Sequence, residues 1–184
     1  MQIEDQQALS NYLQQNESLQ WTGRPPGGLL FRKSDVFMIP FSFLWGGFAI
    51  FWEYSAYTSG APSFFLLFGS AFVLVGLYII IGRFFFDMLK RGNTIYGLTN
   101  ERALILSGVF GQSMKSLNLK SISEVSIQLK SDGRGTIVFG STSGVQSMLS
   151  NSSWPGSGQT TPPSFELIEN ANQIYQMVQS IQRK

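Results

Sequence analysis

The stretch "TIYGLTNERALILSG", residues 94–108, decides how the water-soluble half of the chain is read. Two short apolar runs flank a polar turn, Thr99-Asn100-Glu101-Arg102. Thr and Asn side chains bond nearby backbone and tolerate tight turns, so the segment reads as a β-hairpin. Tyr96, Leu98, Leu104 and Leu106 fall on period-two positions and are expected to share the core face. Arg102 opens the second strand, where it can pair with a neighbouring acid or contact an anion; the structural role is the stronger expectation.

Downstream, the same short-strand pattern continues. "GVFGQ" turns the chain into "SMKSLNL". In "ISEVSIQLK", Val125, Ile127 and Leu129 alternate with Glu124, Ser126, Gln128 and Lys130, which marks a half-buried strand. "SDGRG" is a turn signal and "TIVFG" the partner strand. "GVQSMLS" reads as a further strand, and residues 151–163, rich in Gly, Pro, Ser and Thr, as a flexible loop. In the closing "SFELIENANQIYQMVQSIQRK", Phe165, Ile168, Ala171, Tyr175, Val178 and Ile181 recur at three and four. That spacing predicts a helix capped by Ser164, with Glu166 in its first turn and Arg183-Lys184 at its end. About six antiparallel strands followed by one packing helix make a small curved sheet or open barrel of the pleckstrin-homology type.

Upstream, the pattern is different. Residues 36–52, "VFMIPFSFLWGGFAIFW", carry no charge, and neither do residues 54–82. A bilayer core about 30 Å thick takes about 20 helical residues. The second run satisfies this outright; the first does so with its interfacial aromatics. Two spans are expected, about 36–55 and 62–82, joined by the short "EYSAYTSGA". With no charge inside either run, no proton or ion relay is expected in the membrane. Arg24, Arg32 and Lys33 precede the first span, Arg83, Lys90 and Arg91 follow the second, and the connector has no basic residue. The positive-inside rule then puts both termini in the cytoplasm. Ser42 and Gly46 lie four apart, a spacing that favours close packing within the hairpin.

Composition narrows the chemistry. Among 184 residues there is no cysteine and no histidine, and only 13% are charged, against roughly 25% in soluble proteins. Disulfides, thiolate catalysis and triads with a histidine base are excluded, and a zinc site is disfavoured. The expectation is a non-catalytic protein with no cofactor and no metal. Basic residues are too few, and no aromatics interleave with them, so no nucleic-acid partner is expected.

Three motifs carry a family resemblance: "ESLQWTGRP" (residues 17–25), "TIYGLTNERALILSG" (residues 94–108), and "GRGTIVFG" (residues 133–140) followed by the "FELIENANQIY" segment. With these, the chain resembles bacterial membrane proteins that carry a pleckstrin-homology-like domain behind a two-helix transmembrane hairpin, a family of largely unknown function. The resemblance implies a membrane α-hairpin plus an α+β domain, a pleckstrin-homology-like antiparallel sheet or open barrel capped by a C-terminal helix. It implies residues 1–34 as a cytoplasmic segment, 35–84 as the hairpin and 92–184 as the domain. The setting it implies is the bacterial cytoplasmic (inner) membrane, with a multi-pass topology, and it implies no enzyme activity.

The functional expectation is a scaffold or interaction module at the membrane face, with the lipid bilayer and an unknown protein, or a second copy, as partners. The alternative is recognition of anionic phospholipids, for which Arg24, Arg32, Lys33, Arg83, Lys90, Arg91 and Arg102 are the candidate contacts. Trp21 is expected to pack rather than to bind a ligand.

Overall fold

The computed structural model describes residues 2–31, 35–141 and 162–183. Helix α1 (Gln2–Ser10) and strand β1 (Leu19–Gly23) precede a long helical pair. This pair is α2 (Asp35–Thr58) and α3 (Ser63–Leu77), the latter running through a π-helical turn (Tyr78–Gly82) into α4 (Arg83–Gly92). Strands β2 (Thr94–Thr99), β3 (Arg102–Ser107), β4 (Ser113–Asn118), β5 (Val125–Leu129), β6 (Gly135–Phe139) and β7 (Ser164–Ile168) follow, and α5 (Ala171–Gln182) closes the chain.

The helical pair packs through its smallest residues. Ser42, Gly46 and Ala49 of α2 and Gly69 and Gly76 of α3 are buried. A Cβ placed on Gly76 would lie 3.2 Å from the Gly46 Cα, so the two backbones cross here with no room for side chains. The large residues point the other way: Phe43, Leu44, Phe48, Phe64, Leu67 and Leu74 are all exposed. Both helices are long and apolar enough to cross a bilayer, with only 22% and 11% of their most apolar windows buried. A helix in a water-soluble core has the reverse pattern, apolar side chains inside and polar ones out. The helices overrun the expected limits. The first reaches Thr58, and the second continues as one 30-residue helix to Gly92. Glu53 lies within α2, tucked against Gly69 of the partner helix, which corrects the expectation that neither span holds a charge.

The strands form two antiparallel sheets, ordered β1-β2-β3-β4 and β5-β6-β7. The boundary expected at residue 92 is corrected by the first of these. β1 pairs with β2, with Gly23 opposite Tyr96 and Thr22 opposite Gly97, so the domain takes its edge strand from before the hairpin. In sequence, α2 to α4 are an insertion into the β1–β2 connection.

The four-stranded sheet is covered on both faces. Tyr96, Leu98, Ala103 and Ile105 join the main core with Ile137, Phe139, Phe165, Ile168 and the buried face of α5. Leu104 and Leu106 do not share that face. They point to the opposite one, where Leu9 of α1 is fully buried against them. The register explains the correction: Tyr96 pairs with Ile105 and Leu98 with Ala103, while Leu104 pairs with Gly97. A Cβ on Gly97 would lie 2.8 Å from the Leu9 Cδ1, so this glycine is what lets α1 approach.

The expected C-terminal helix begins late. Residues 164–168 are strand β7, so Ser164 caps nothing and Glu166 lies in the sheet. The cause is an irregular register against β6, with Leu167 in the left-handed region (φ 49°). That kink buries both Phe165 and Ile168, so a strand imitates the three-residue spacing of a helix. Asn170, also left-handed (φ 51°), then turns the chain into α5, whose Gln182 side chain donates to the Leu119 and Ile122 carbonyls. Among the described residues, seven antiparallel strands in two sheets, closed by a C-terminal helix, form the pleckstrin-homology-like plan. The expected strand in residues 144–150 and all but the end of the 151–163 loop lie outside the described residues.

Candidate functional site

The polar turn Thr99–Arg102 joins the N-terminal segment to the sheet. Thr99 Oγ1 accepts from the Arg102 backbone N–H at 2.8 Å, which closes the turn, and donates to Glu17 Oε1 at 2.6 Å. The Arg102 guanidinium holds the same carboxylate through Nε at 3.0 Å and through Nη2, and donates to Ser116 Oγ through Nη1. Asn100 accepts from the Ser18 N–H through Oδ1, and its own N–H donates back to the Ser18 carbonyl. Motifs far apart in sequence, "ES" at residues 17–18 and "TNER" at residues 99–102, are thus two halves of one contact. The Glu17 carboxyl is buried, yet Arg102, Thr99 and the Gln14 N–H together hold it down at about 2, against an ordinary value of 4.5. Arg102 is raised in turn by Glu17.

Two further arginines knit the chain around the hairpin. Arg24 Nε bonds both oxygens of Asp5 at 3.0 Å, which raises the arginine and fixes β1's exit to α1. Arg91 pairs with Asp87 at 3.0 Å and donates to the carbonyls of Pro26 and Gly28 at 2.8 and 2.7 Å, so the segment that follows β1 is tied to the end of α4. Deeper, Arg83 and Asp35 pair at 3.1 Å, with both side chains buried and the guanidinium 4.5 Å over the Phe84 ring. The first residue of α2 and the first of α4 are therefore at one level.

Of the candidate anion contacts, the five among the described residues are mostly committed within the chain. Arg24, Arg83, Arg91 and Arg102 each have a carboxylate partner within the chain. Lys90 is exposed, and Arg32 and Lys33 lie outside the described residues. Arg102 is also at the end of the sheet opposite the hairpin. The 99–102 turn lies where Leu19 opposes Thr99 and Arg102 opposes Asn118, whereas the hairpin leaves and returns at the other end, where Gly23 opposes Tyr96. Strands of five or six residues separate these ends by about 16–20 Å. Trp21 packs on Phe165, ring centroids 5.6 Å apart, and so serves the core. Among the described residues no three Asp, Glu, His or Cys side chains group as a metal site.

Sequence reasoning did not single out the hairpin end of the sheet. Besides Gly23 and Thr94 it carries the β3–β4 turn, since Thr94 opposes Ser107 and Ser107 opposes Ser113. The signal was a bare Phe between glycines in "GVFGQ".

No family model matches the chain, and no curated protein matches it. Among solved structures, the chain is similar to a DUF1696 family protein with a pleckstrin-homology domain from Shewanella loihica, at 13% identity and a TM-score of 0.43, over 98% of this chain and 92% of that one.

Proposed function

We propose that the chain is an integral membrane protein whose helical hairpin crosses the bacterial cytoplasmic membrane and holds the pleckstrin-homology-like domain at the cytoplasmic face, as a non-catalytic scaffold or protein-interaction module. One observation carries the reading: β1 and β2, which flank the hairpin in sequence, are neighbours in one sheet. Helices that cross and return must bring both strands to the same side of the bilayer. The exposed aromatic and aliphatic surface of α2 and α3 supports lipid contact, because a bilayer is the solvent in which such a surface costs nothing. The lysines and arginines at the hairpin's two ends, and their absence from residues 54–62, support a cytoplasmic domain. Anionic-lipid attraction is the weaker reading. Among the described residues, four of its five candidate cations are already neutralised by carboxylates.

The chain has no cysteine, so single-cysteine labelling tests the topology without background. Ser59→Cys, in the connector, should react with a membrane-impermeant thiol reagent on intact cells. Ser131→Cys, in the β5–β6 turn, should react only after permeabilisation; labelling of Ser131→Cys on intact cells would refute the orientation. Crosslinking in native membranes should give a reproducible partner or a self-adduct, and repeated failure to find either counts against the scaffold role.

A further inference from the structure

We propose that the β3–β4 turn, residues 108–112, is a third membrane contact, an aromatic tip that enters the bilayer interface beside the hairpin. The proposal rests on the membrane reading above and adds a lipid-contacting element outside the two helices. Four observations carry it. Phe110 is 94% exposed, a level that a water-facing Phe seldom reaches without a partner. The antiparallel order puts this turn at the sheet end from which the hairpin departs, so its tip points the way the helices do. Its ring stacks on Phe86 of α4, centroids 6.3 Å apart and 30° between planes. Phe85, Phe86 and Leu89 are themselves exposed, and so extend the apolar surface of the hairpin to the tip.

The depth is consistent. Phe86 lies three residues past Arg83, whose pair with Asp35 levels the two helices, and three helical residues rise about 4.5 Å. That places the Phe110 ring in the headgroup zone, where aromatic rings concentrate. The turn is also built to hold its shape. A Cβ on Gly108 would collide with the Gly111 carbonyl oxygen, and Gln112 Oε1 accepts from the Tyr12 hydroxyl at 3.3 Å. The occupant is the bilayer rather than a soluble partner, because the patch is continuous with the lipid-facing helices and carries no charge of its own.

The test uses the full chain in vesicles, with an environment-sensitive fluorophore on single cysteines. Gly111→Cys keeps Phe110, and a side chain there meets nothing within 4 Å. Its emission should be blue-shifted, quenched by lipids spin-labelled near the headgroup, and returned to the aqueous value by adding Phe110→Ser. Leu67→Cys reports the hairpin and Ser131→Cys reports water. Aqueous emission at Gly111→Cys with membrane emission at Leu67→Cys would overturn the inference and leave the hairpin reading intact. Aqueous emission at both would overturn both. A Gly111→Cys signal that spin-labelled lipids do not quench and that fades as protein is diluted in lipid would assign the tip to a second copy, and would also overturn the proposal.

Discussion

Glu17 and Arg102 are the residues on which the fold's closure turns, and they show how a conspicuous motif can serve a contact within the chain. With its partner present the carboxylate is satisfied by Arg102, Thr99 and the Gln14 N–H; with Arg102 removed it is a buried charge. Arg102→Ala should therefore cost about 3–5 kcal/mol. Glu17→Gln with Arg102→Ala should cost clearly less than the two single changes added together. Thermal or denaturant unfolding of the purified protein measures both. The pair also sets an acid limit. Glu17 titrates near 4.5 when unfolded and at about 2 when folded, so its contribution is complete above pH 4.5 and is lost as pH falls towards 2. It amounts to on the order of 3 kcal/mol. Stability should fall between about pH 4.5 and 2 in the parent and less steeply in Glu17→Gln; equal slopes would dissociate the carboxylate from the acid limit. The turn itself was legible from Thr99 and Asn100. Its acid partner was not, because it lies 85 residues upstream, across two apolar helices.

At the scale of elements, two misreadings have the same origin. Period-two spacing put Leu104 with Tyr96, but β2 and β3 are antiparallel and their register fixes which parities meet; only the pairing of Leu104 with Gly97 reveals two buried faces. Three-and-four spacing began the last helix at Phe165, where a left-handed Leu167 lets a strand bury the same residues. Periodicity within one segment reports that residues are buried, not against what. The second buried face depends on α1, whose own helical signal is weak, and on the missing side chain at residue 97. Gly97→Val should force Leu9 out of its site and destabilise by about 1–3 kcal/mol. Hydrogen exchange should quicken in residues 2–10 while α5, on the other face, keeps its protection. Unchanged exchange in α1 would mean that Gly97 does not set the approach.

For the molecule as a whole, the insertion of the hairpin between β1 and β2 would, on the proposed topology, couple membrane crossing to folding. The two apolar runs were plain in the sequence because a bilayer demands length and the absence of charge, which are local properties. The split domain was not, because strand pairing across the hairpin leaves no local trace beyond the "ESLQWTGRP" motif itself. On the proposed topology the number of crossings between β1 and β2 must be even. Deleting α2 with its connector, residues 35–61, leaves one crossing and places β1 and β2 on opposite sides of the membrane. The sheet then loses its edge strand, and Trp21 leaves Phe165. Deleting residues 35–82 and bridging the gap with a short Gly-Ser linker removes both crossings and restores the pairing, since Arg91 already holds the Gly28 carbonyl at 2.7 Å. Limited proteolysis should find a resistant domain in the parent and in the double deletion, and none in the single deletion. Residues 92–184 alone should also be degraded or aggregate, because β2 would become a bare edge and the Leu104 face would lose α1. A resistant 92–184 fragment would show that β1 and α1 are accessories rather than parts of the domain.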